Sequence, residues 1–394
     1  MRPDARIQTA IELLDRILAG APAEQALTAW ARTSRFAGSG DRAAIRDHVF
    51  DGLRCLRSLS ALAGAREPGG RAVMLGAILA AGRDPDLAFT GAPHSPAPLT
   101  DAERALATAS DGVVTEELAD LDCPDWLRPR FEHALGADAG PVLRLMRERA
   151  PVILRVNAAR ATRETAIRRL ACDGIGTKPH PLSSFALEVS ENAQKIKSGG
   201  AYLEGLIELQ DASPQAAVEV LPIAPGQRVL DYCAGGGGKT LALAARSEAS
   251  FFAHDAAPAR MRDLPARAAR AGARVSIVTG DELSGIAPFD LVIADVPCSG
   301  TGTWRRAPGA KWTLTAQGLA DLTGLQARIL DAAGALVGPG GRLAYMTCSL
   351  LAEENRDQID AFLERSPGWT LEAERRFTPL ENGDGFYSAL LTRV

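Results

Sequence analysis

Apolar side chains at Ile7, Ile11, Leu14 and Leu18 recur three to four positions apart, the spacing of one face of an α-helix. The same period returns over Ala43–Leu62 and Arg71–Ala81, so residues 1–122 are expected to form an all-helical domain. The Pro- and Gly-bearing stretch Pro85–Pro98 is short and flanked by helix, which makes it a loop inside that domain. An arginine-rich helix is then expected to end near Arg149, and PVILRV (151–156) reads as a strand. Residues 123–215 are therefore expected to be a linker helix and a small α+β segment. From Gly226 short β-rich runs at 228–230, 251–253, 275–278, 290–294 and 343–346 alternate with helical stretches. That alternation predicts a parallel, doubly wound α/β sheet within residues 216–394, with its ligands at the carboxyl ends of the strands, where the connectivity reverses.

Three regions fit a chain of 394 residues, more than one hydrophobic core usually organises. With 46% hydrophobic and 23% charged residues it is neither a disordered chain nor a rod. The net charge of -4 gives no general attraction to phosphate, so a nucleic-acid surface must be a local patch. Between Arg128 and Lys178 eleven basic residues face five acidic ones, which makes this window the candidate patch, against the alternative of a solvated helix face. The six cysteines form no CxxC pair, so reduced thiols and no metal site are expected. The N-terminal segment is amphipathic and no apolar run reaches membrane-spanning length, which reads as a cytoplasmic chain with no membrane partner.

The first strand of the predicted sheet runs into DYCAGGGGKT (231–240), whose four consecutive glycines let a backbone approach a ligand closely. The spacing is neither GxGxxG nor GxxxxGK[ST], which disfavours a dinucleotide fingerprint and a Walker loop. Asp255 closes the second strand 24 residues after Asp231, where a carboxylate can accept hydrogen bonds from ribose hydroxyls, and Asp281 is expected to close the third. Such a rim suits a nicotinamide dinucleotide or S-adenosylmethionine.

The fourth strand ends at Asp295 and continues to Cys298; the fifth ends at Cys348. Two thiols at the ends of neighbouring strands should face one cleft, whereas Cys55 and Cys172 read as buried small hydrophobes. Hydride transfer would need a proton donor or acceptor near the nicotinamide, and no histidine stands at either strand end. Methyl transfer to carbon 5 of cytosine needs what is present. The ring carbon is a poor nucleophile until a thiolate adds at carbon 6, an acid near ring nitrogen 3 stabilises the adduct, and the carbon 5 proton and the thiolate must then leave. Two thiols and the Asp295 carboxylate supply those roles.

With DYCAGGGGKT, DVPCSGTGTWRRAPGAKW (295–312) and TCSLLAEEN (347–355), supported by LQDASPQAA (209–217) and DGFYSALL (384–391), the chain resembles the RsmB/Sun family of RNA (cytosine-5) methyltransferases. GDRAAIRDHVFDGLRCLRSL (40–59) looks like the helical RNA-binding domain these enzymes share with the NusB antitermination factor. The resemblance implies a Rossmann-like class I methyltransferase domain behind a NusB-like domain. It implies that Cys348 is the nucleophile and that Cys298 assists breakdown of the adduct, a division that spacing alone leaves open. By the same carry-over Cys233, Ala234, Gly235, Gly236, Gly237, Gly238, Lys239 and Asp255 hold the methionine and ribose parts of S-adenosylmethionine. Asp281 lies by the adenine, Asp295 sits between cofactor and base, and Arg305, Arg306 and Lys311 lie near the RNA.

Where the family usually carries Ala-Pro this chain has Gly235-Gly236, a loop with more freedom when unbound, so cofactor affinity is expected to fall unless neighbouring packing compensates. Tyr387 and Ser388 also replace the usual residues of their segment. The NusB-like region points to ribosomal RNA of the small subunit, with transfer RNA as the alternative, an unpaired cytosine as target and a monomeric enzyme. Transfer to an exocyclic nitrogen would use an Asn- or Asp-Pro-Pro-aromatic strand end, unlike Asp295-Val-Pro-Cys298, and a non-catalytic assembly factor would need neither thiol.

Overall fold

The computed structural model describes residues 1–109 and 112–394, which fall into two compact units: Met1–Arg149 with Trp304–Leu314, and Ala150–Thr303 with Thr315–Val394. These units cut the chain elsewhere than residues 122 and 215. Residues 123–149 pack with the helices before them, and the small sheet shares a unit with the large one.

In the first unit the helix Pro3–Leu18 starts with proline at its first position, where the fixed φ suits a helix and the missing N–H is not needed. It buries Ile7, Ile11 and Leu14 against Ile45, Val49, Leu53, Val73 and Met74. The helix expected over Ala43–Leu62 is two, Ser39–Arg54 and Leu56–Leu62. The break at Cys55 has a local cause: buried Asp122 accepts hydrogen bonds from the amides of Arg57 and Ser58 at 3.0 and 3.1 Å, capping the second helix in place of the preceding turn.

The second unit opens with a four-stranded antiparallel sheet made of β1 (Ile153–Val156), β2 (Gly176–Pro179), β3 (Ala186–Glu191) and β4 (Ile207–Leu209), in the order β2-β3-β1-β4. The central β1 is buried on both faces. Leu154 and Val156 join Leu170, Leu187 and Ile207 in a core, and Arg155 on the opposite face is 4% exposed.

The seven-stranded sheet follows: β5 (Arg228–Asp231), β6 (Ser250–Ala253), β7 (Val275–Ile277), β8 (Phe289–Asp295), β9 (Val337–Thr347), β10 (Trp369–Phe377) and β11 (Phe386–Arg393), ordered β10-β11-β9-β8-β5-β6-β7. From β9 to β7 the pairing is parallel, and the fully buried run Leu291–Ala294 of β8 is what a strand covered on both faces requires. The sequence pattern missed the hairpin β10-β11, which extends one edge antiparallel. The chain leaves β5 towards β7 on one side and returns to β8 and β9 on the other, so the ends of β5 and β8 flank the switch point. No helix among the described residues is long and apolar enough to cross a membrane.

Candidate active site

At the switch point β5 ends in Asp231, 2% exposed, and the chain turns through the four glycines into the helix Gly238–Ala244. Gly237, at φ +75°, has no room for a side chain: a Cβ would lie 2.2 Å from Leu264 Cδ1. Asp255, just past β6, draws the loop in. Its Oδ2 accepts from the Gly235 amide at 3.0 Å and pairs with Arg260 at 3.2 Å, while Oδ1 accepts from the Ala257 amide at 2.9 Å.

Asp231 Oδ2 accepts the Thr240 hydroxyl at 2.6 Å, but Oδ1 is buried without a partner among the described residues. Burial pushes this carboxyl up to about 6, against the hydrogen bond from Thr240. Burial, and then Asp231, Asp295 and Asp255, push the Cys233 thiol up to about 12, so Cys233 stays an inert thiol. Asp281 does not close the third strand. It lies in the first turn of the helix Gly280–Ile286, exposed to solvent, because β7 already stops at Ile277 and Thr279 caps that helix with Glu282.

β8 and β9 run parallel with Asp295 opposite Met346, so the residues just past them emerge together. The sulfurs of Cys298 and Cys348 lie 3.3 Å apart. The hydrogen bond to Cys348, followed by burial, holds the Cys298 thiol well above the usual range. Asp295 forms an ion pair with Lys239, reaching across from the glycine loop, and the lysine nitrogen also stands 5.2 Å from the centre of the Phe386 ring.

Sequence reasoning left Glu354 and Asn355 without a role, although both stand in TCSLLAEEN. Glu354, fully buried, accepts from the Ser299 amide at 2.8 Å, the Ser299 hydroxyl and the Gln326 amide at 3.0 Å. Asn355 bonds the Thr347 hydroxyl and donates to the Ser349 carbonyl at 2.9 Å, bracketing Cys348 on both sides. Gln326 also holds the Pro297 carbonyl at 2.9 Å. An acid and an amide side by side just past a strand end were the available signal. Close backbone packing completes the frame: a Cβ on Gly302 would meet the Gly385 carbonyl at 2.1 Å, and one on Gly385 would meet the Gly302 Cα at 2.7 Å, which explains the glycine in DGFYSALL. In that segment the Tyr387 hydroxyl donates to Glu374 at 2.7 Å, a cross-strand tie on the outer hairpin.

Two residues expected near RNA are buried in the first unit instead. Arg305 is 5% exposed and donates to the carbonyls of Glu148 and Arg149; Lys311 is 1% exposed and donates to the Arg54 carbonyl at 2.9 Å, 4.8 Å from the Trp312 ring centre. Burial lowers the Lys311 ammonium to about 8. Arg306 is the exposed member of the three. Much of the basic window 128–178 is likewise engaged internally: Arg147 with Asp122, Arg149 with Asp47, Arg169 with Asp173 and Glu204, and Lys178 with Glu188. Of the two cysteines read as buried, Cys172 is exposed, because it ends the helix Arg163–Cys172 on its outer side, and Cys55 is partly buried.

Residues 218–392 match the family described as 16S rRNA methyltransferase RsmB/F, and residues 123–195 match the ferredoxin-like domain of RsmF/B-like methyltransferases. Ribosomal RNA small subunit methyltransferase B of Salmonella agona is 35% identical over 284 residues, 68% of this chain and 66% of that protein, so the match spans just under two thirds of the relative's length. Among solved structures, PH0851 aligns with a TM-score of 0.74 at 24% identity, covering 99% of both chains. A methyltransferase homologue from Pyrococcus horikoshii aligns at 0.61 and 26% identity, over 71% of this chain and 98% of that one. Matched across both the small sheet and the cysteine-bearing sheet, the chain belongs to the RsmB/F methyltransferase family.

Proposed function

We propose that this chain transfers a methyl group from S-adenosylmethionine to carbon 5 of a cytosine in RNA, with ribosomal RNA of the small subunit as substrate. The observation that carries the reading is the pair of sulfurs 3.3 Å apart beside the Asp295–Lys239 ion pair. The residues present fit the cofactor. Glycines whose Cβ positions are occupied leave backbone for it, Asp255 offers acceptors, and the partnerless Oδ1 of Asp231 suits a donor such as an amino group. When bound, S-adenosylmethionine supplies an electrophilic methyl on a sulfonium.

The chain's own residues divide the remaining work. Cys348 is the nucleophile at carbon 6 of the base. Cys298, 3.3 Å from the Cys348 sulfur and held well above the usual thiol range, rests protonated beside the nucleophile. After methyl transfer the carbon 5 proton must leave and the bond from Cys348 to carbon 6 must break, its electron pair returning to the Cys348 sulfur; Cys298 stands beside that bond and assists the elimination. Lys239 and Asp295 present a proton donor and a carboxylate to the edge of the base. Glu354, Asn355 and Gln326 fix the two loops so that both sulfurs stay in line. The names of the relatives, together with the small sheet and the helical region, support the ribosomal substrate.

The test is bisulfite sequencing of ribosomal and transfer RNA from cells with and without the gene. One protected cytosine in small-subunit RNA should be lost and then restored by the intact chain. Cys348→Ala should not restore it, and methyl transfer by that variant should fall more than roughly 10³-fold while RNA binding remains. Restoration by Cys348→Ala would overturn the assignment of the nucleophile, and no change in any RNA would overturn the activity.

A further inference from the structure

The Gly235-Gly236 departure leaves the glycine loop without the proline ring that its family usually has there, and the structure puts another group in that place. A Cβ added to Gly236 would lie 2.6 Å from Arg267 Nη1, so the guanidinium occupies the position of a side chain at 236. The same nitrogen donates to the Gly236 carbonyl. Arg267 projects from the helix Leu264–Ala271, and its Nη2 is held at 3.0 Å by Glu208 of β4, itself 5% exposed. The second oxygen of Glu208 is taken by Arg270, whose guanidinium carbon stands 4.0 Å from the Tyr202 ring centre. From β1, Arg155 donates to the Gly238 carbonyl at 2.5 Å and to Gln210. Two of the four glycine carbonyls are thus bonded by arginines that belong to other parts of the fold.

We propose that Arg267, anchored by Glu208, is a positioning residue that sets the path of the glycine loop for the cofactor, as a proline ring at 236 otherwise would. This rests on the reading of the loop as the S-adenosylmethionine site. A proline restricts the loop by fixing φ and thinning the unbound ensemble; a bidentate guanidinium restricts it by tying the carbonyl to a buried carboxylate. The two devices claim the same space, so they should substitute for one another rather than add. Gly236 suits the exchange: its φ lies outside the left-handed region, and its amide makes no hydrogen bond among the described residues. Gly235, at φ +49°, lies in the left-handed region that glycine enters most readily, so the test leaves it unchanged.

The experiment measures binding of S-adenosylhomocysteine to the full chain by calorimetry, for wild type, Arg267→Ala, Gly236→Pro and the double variant, with thermal unfolding of each unliganded protein. Arg267→Ala should raise Kd roughly three- to tenfold. Gly236→Pro should stay within about twofold of wild type, because the displaced atom is the free end of a flexible side chain and the ring replaces its effect. Adding Arg267→Ala to Gly236→Pro should then cost nothing further. Arg267→Lys, which keeps a charge beside Glu208 but cannot span both partners, should raise Kd as the alanine does while keeping the unfolding temperature, and so serves if the alanine variant fails to fold. An unchanged Kd in both Arg267 variants, or an equal loss with and without Gly236→Pro, would overturn the exchange. A wild-type chain that binds no S-adenosylhomocysteine would overturn the cofactor reading itself, and the exchange with it.

Discussion

The ends of β8 and β9 and the ends of β5 and β6 lie side by side on one sheet, yet they are held in different ways. On the thiol side both loops are pinned from the Cys348 motif: Glu354 bonds Ser299, one past Cys298, and Asn355 bonds Thr347 and Ser349 on either side of Cys348. Gln326 is the one polar contributor from a distant helix. On the carboxylate side the glycine loop is held by Arg155, Arg267 and Asp255, from three separate elements, and one oxygen of Asp231 is left without a partner. The thiol side is tied closely around its two sulfurs, as atoms that form and break a covalent bond require, although Gln326 Oε1 is buried without a partner among the described residues. The carboxylate side keeps an unmet acceptor, as a pocket awaiting a ligand does.

The contrast predicts that damage to each side shows in a different constant. After the loss expected at Cys348, the largest effect is expected from Cys298→Ala. With the thiol that assists elimination gone, turnover should fall more than roughly 10²-fold and a protein–RNA adduct should accumulate, visible as a gel shift that survives denaturation. Turnover near wild type, with no adduct on a methylated substrate, would remove Cys298 from the chemistry. Glu354→Gln should act next. It keeps the shape of the side chain but turns one of its acceptors into a donor facing Ser299, so kcat should fall about tenfold and stability by about 1–3 kcal/mol. Cofactor Kd should stay within about twofold, the reverse of the pattern given for Arg267. Steady-state kinetics beside calorimetry would show it, and a Kd that moves as far as kcat would erase the distinction between the two sides.

The same contrast explains what could be read from the chain. The five parallel strands were legible because each carries a short β-rich run that alternates with helical stretches, and the two thiols could be placed together because neighbouring strand ends must emerge together. Supports drawn from the motifs themselves, such as Glu354, stood in plain view but carried no chemistry until Ser299 and Gln326 were seen around them. Supports drawn from elsewhere were not legible: nothing near Glu208 or Arg267 announces that the two meet, because the contact depends on how the small sheet packs against the helix Leu264–Ala271. Asp281 was misplaced for a simpler reason, since a strand end and a helix start separated by two residues look alike in sequence. Arg305 and Lys311 were placed near RNA by the family resemblance, and their burial against backbone carbonyls was not legible in the motif.

The last expected effect, on stability alone, concerns Asp231. An unfolded aspartate titrates near 3.9, whereas burial holds this one near 6 when folded, so the folded chain binds the proton more tightly than the unfolded one. The stability this gives is fully present below about pH 4 and is lost as pH rises through about 6, up to about 3 kcal/mol for a displacement of about two units. Asp231→Asn keeps an acceptor for the Thr240 hydroxyl and cannot titrate. Other carboxyls titrate in the same window, so the readout is the difference between the two proteins in urea unfolding from pH 4.5 to 7.5 without cofactor. Wild type should lose stability relative to Asp231→Asn as pH rises, with the change centred between about 4 and 6. Parallel curves would mean that Oδ1 is satisfied in solution, and the contrast between the two sides would then be confined to where their supports come from.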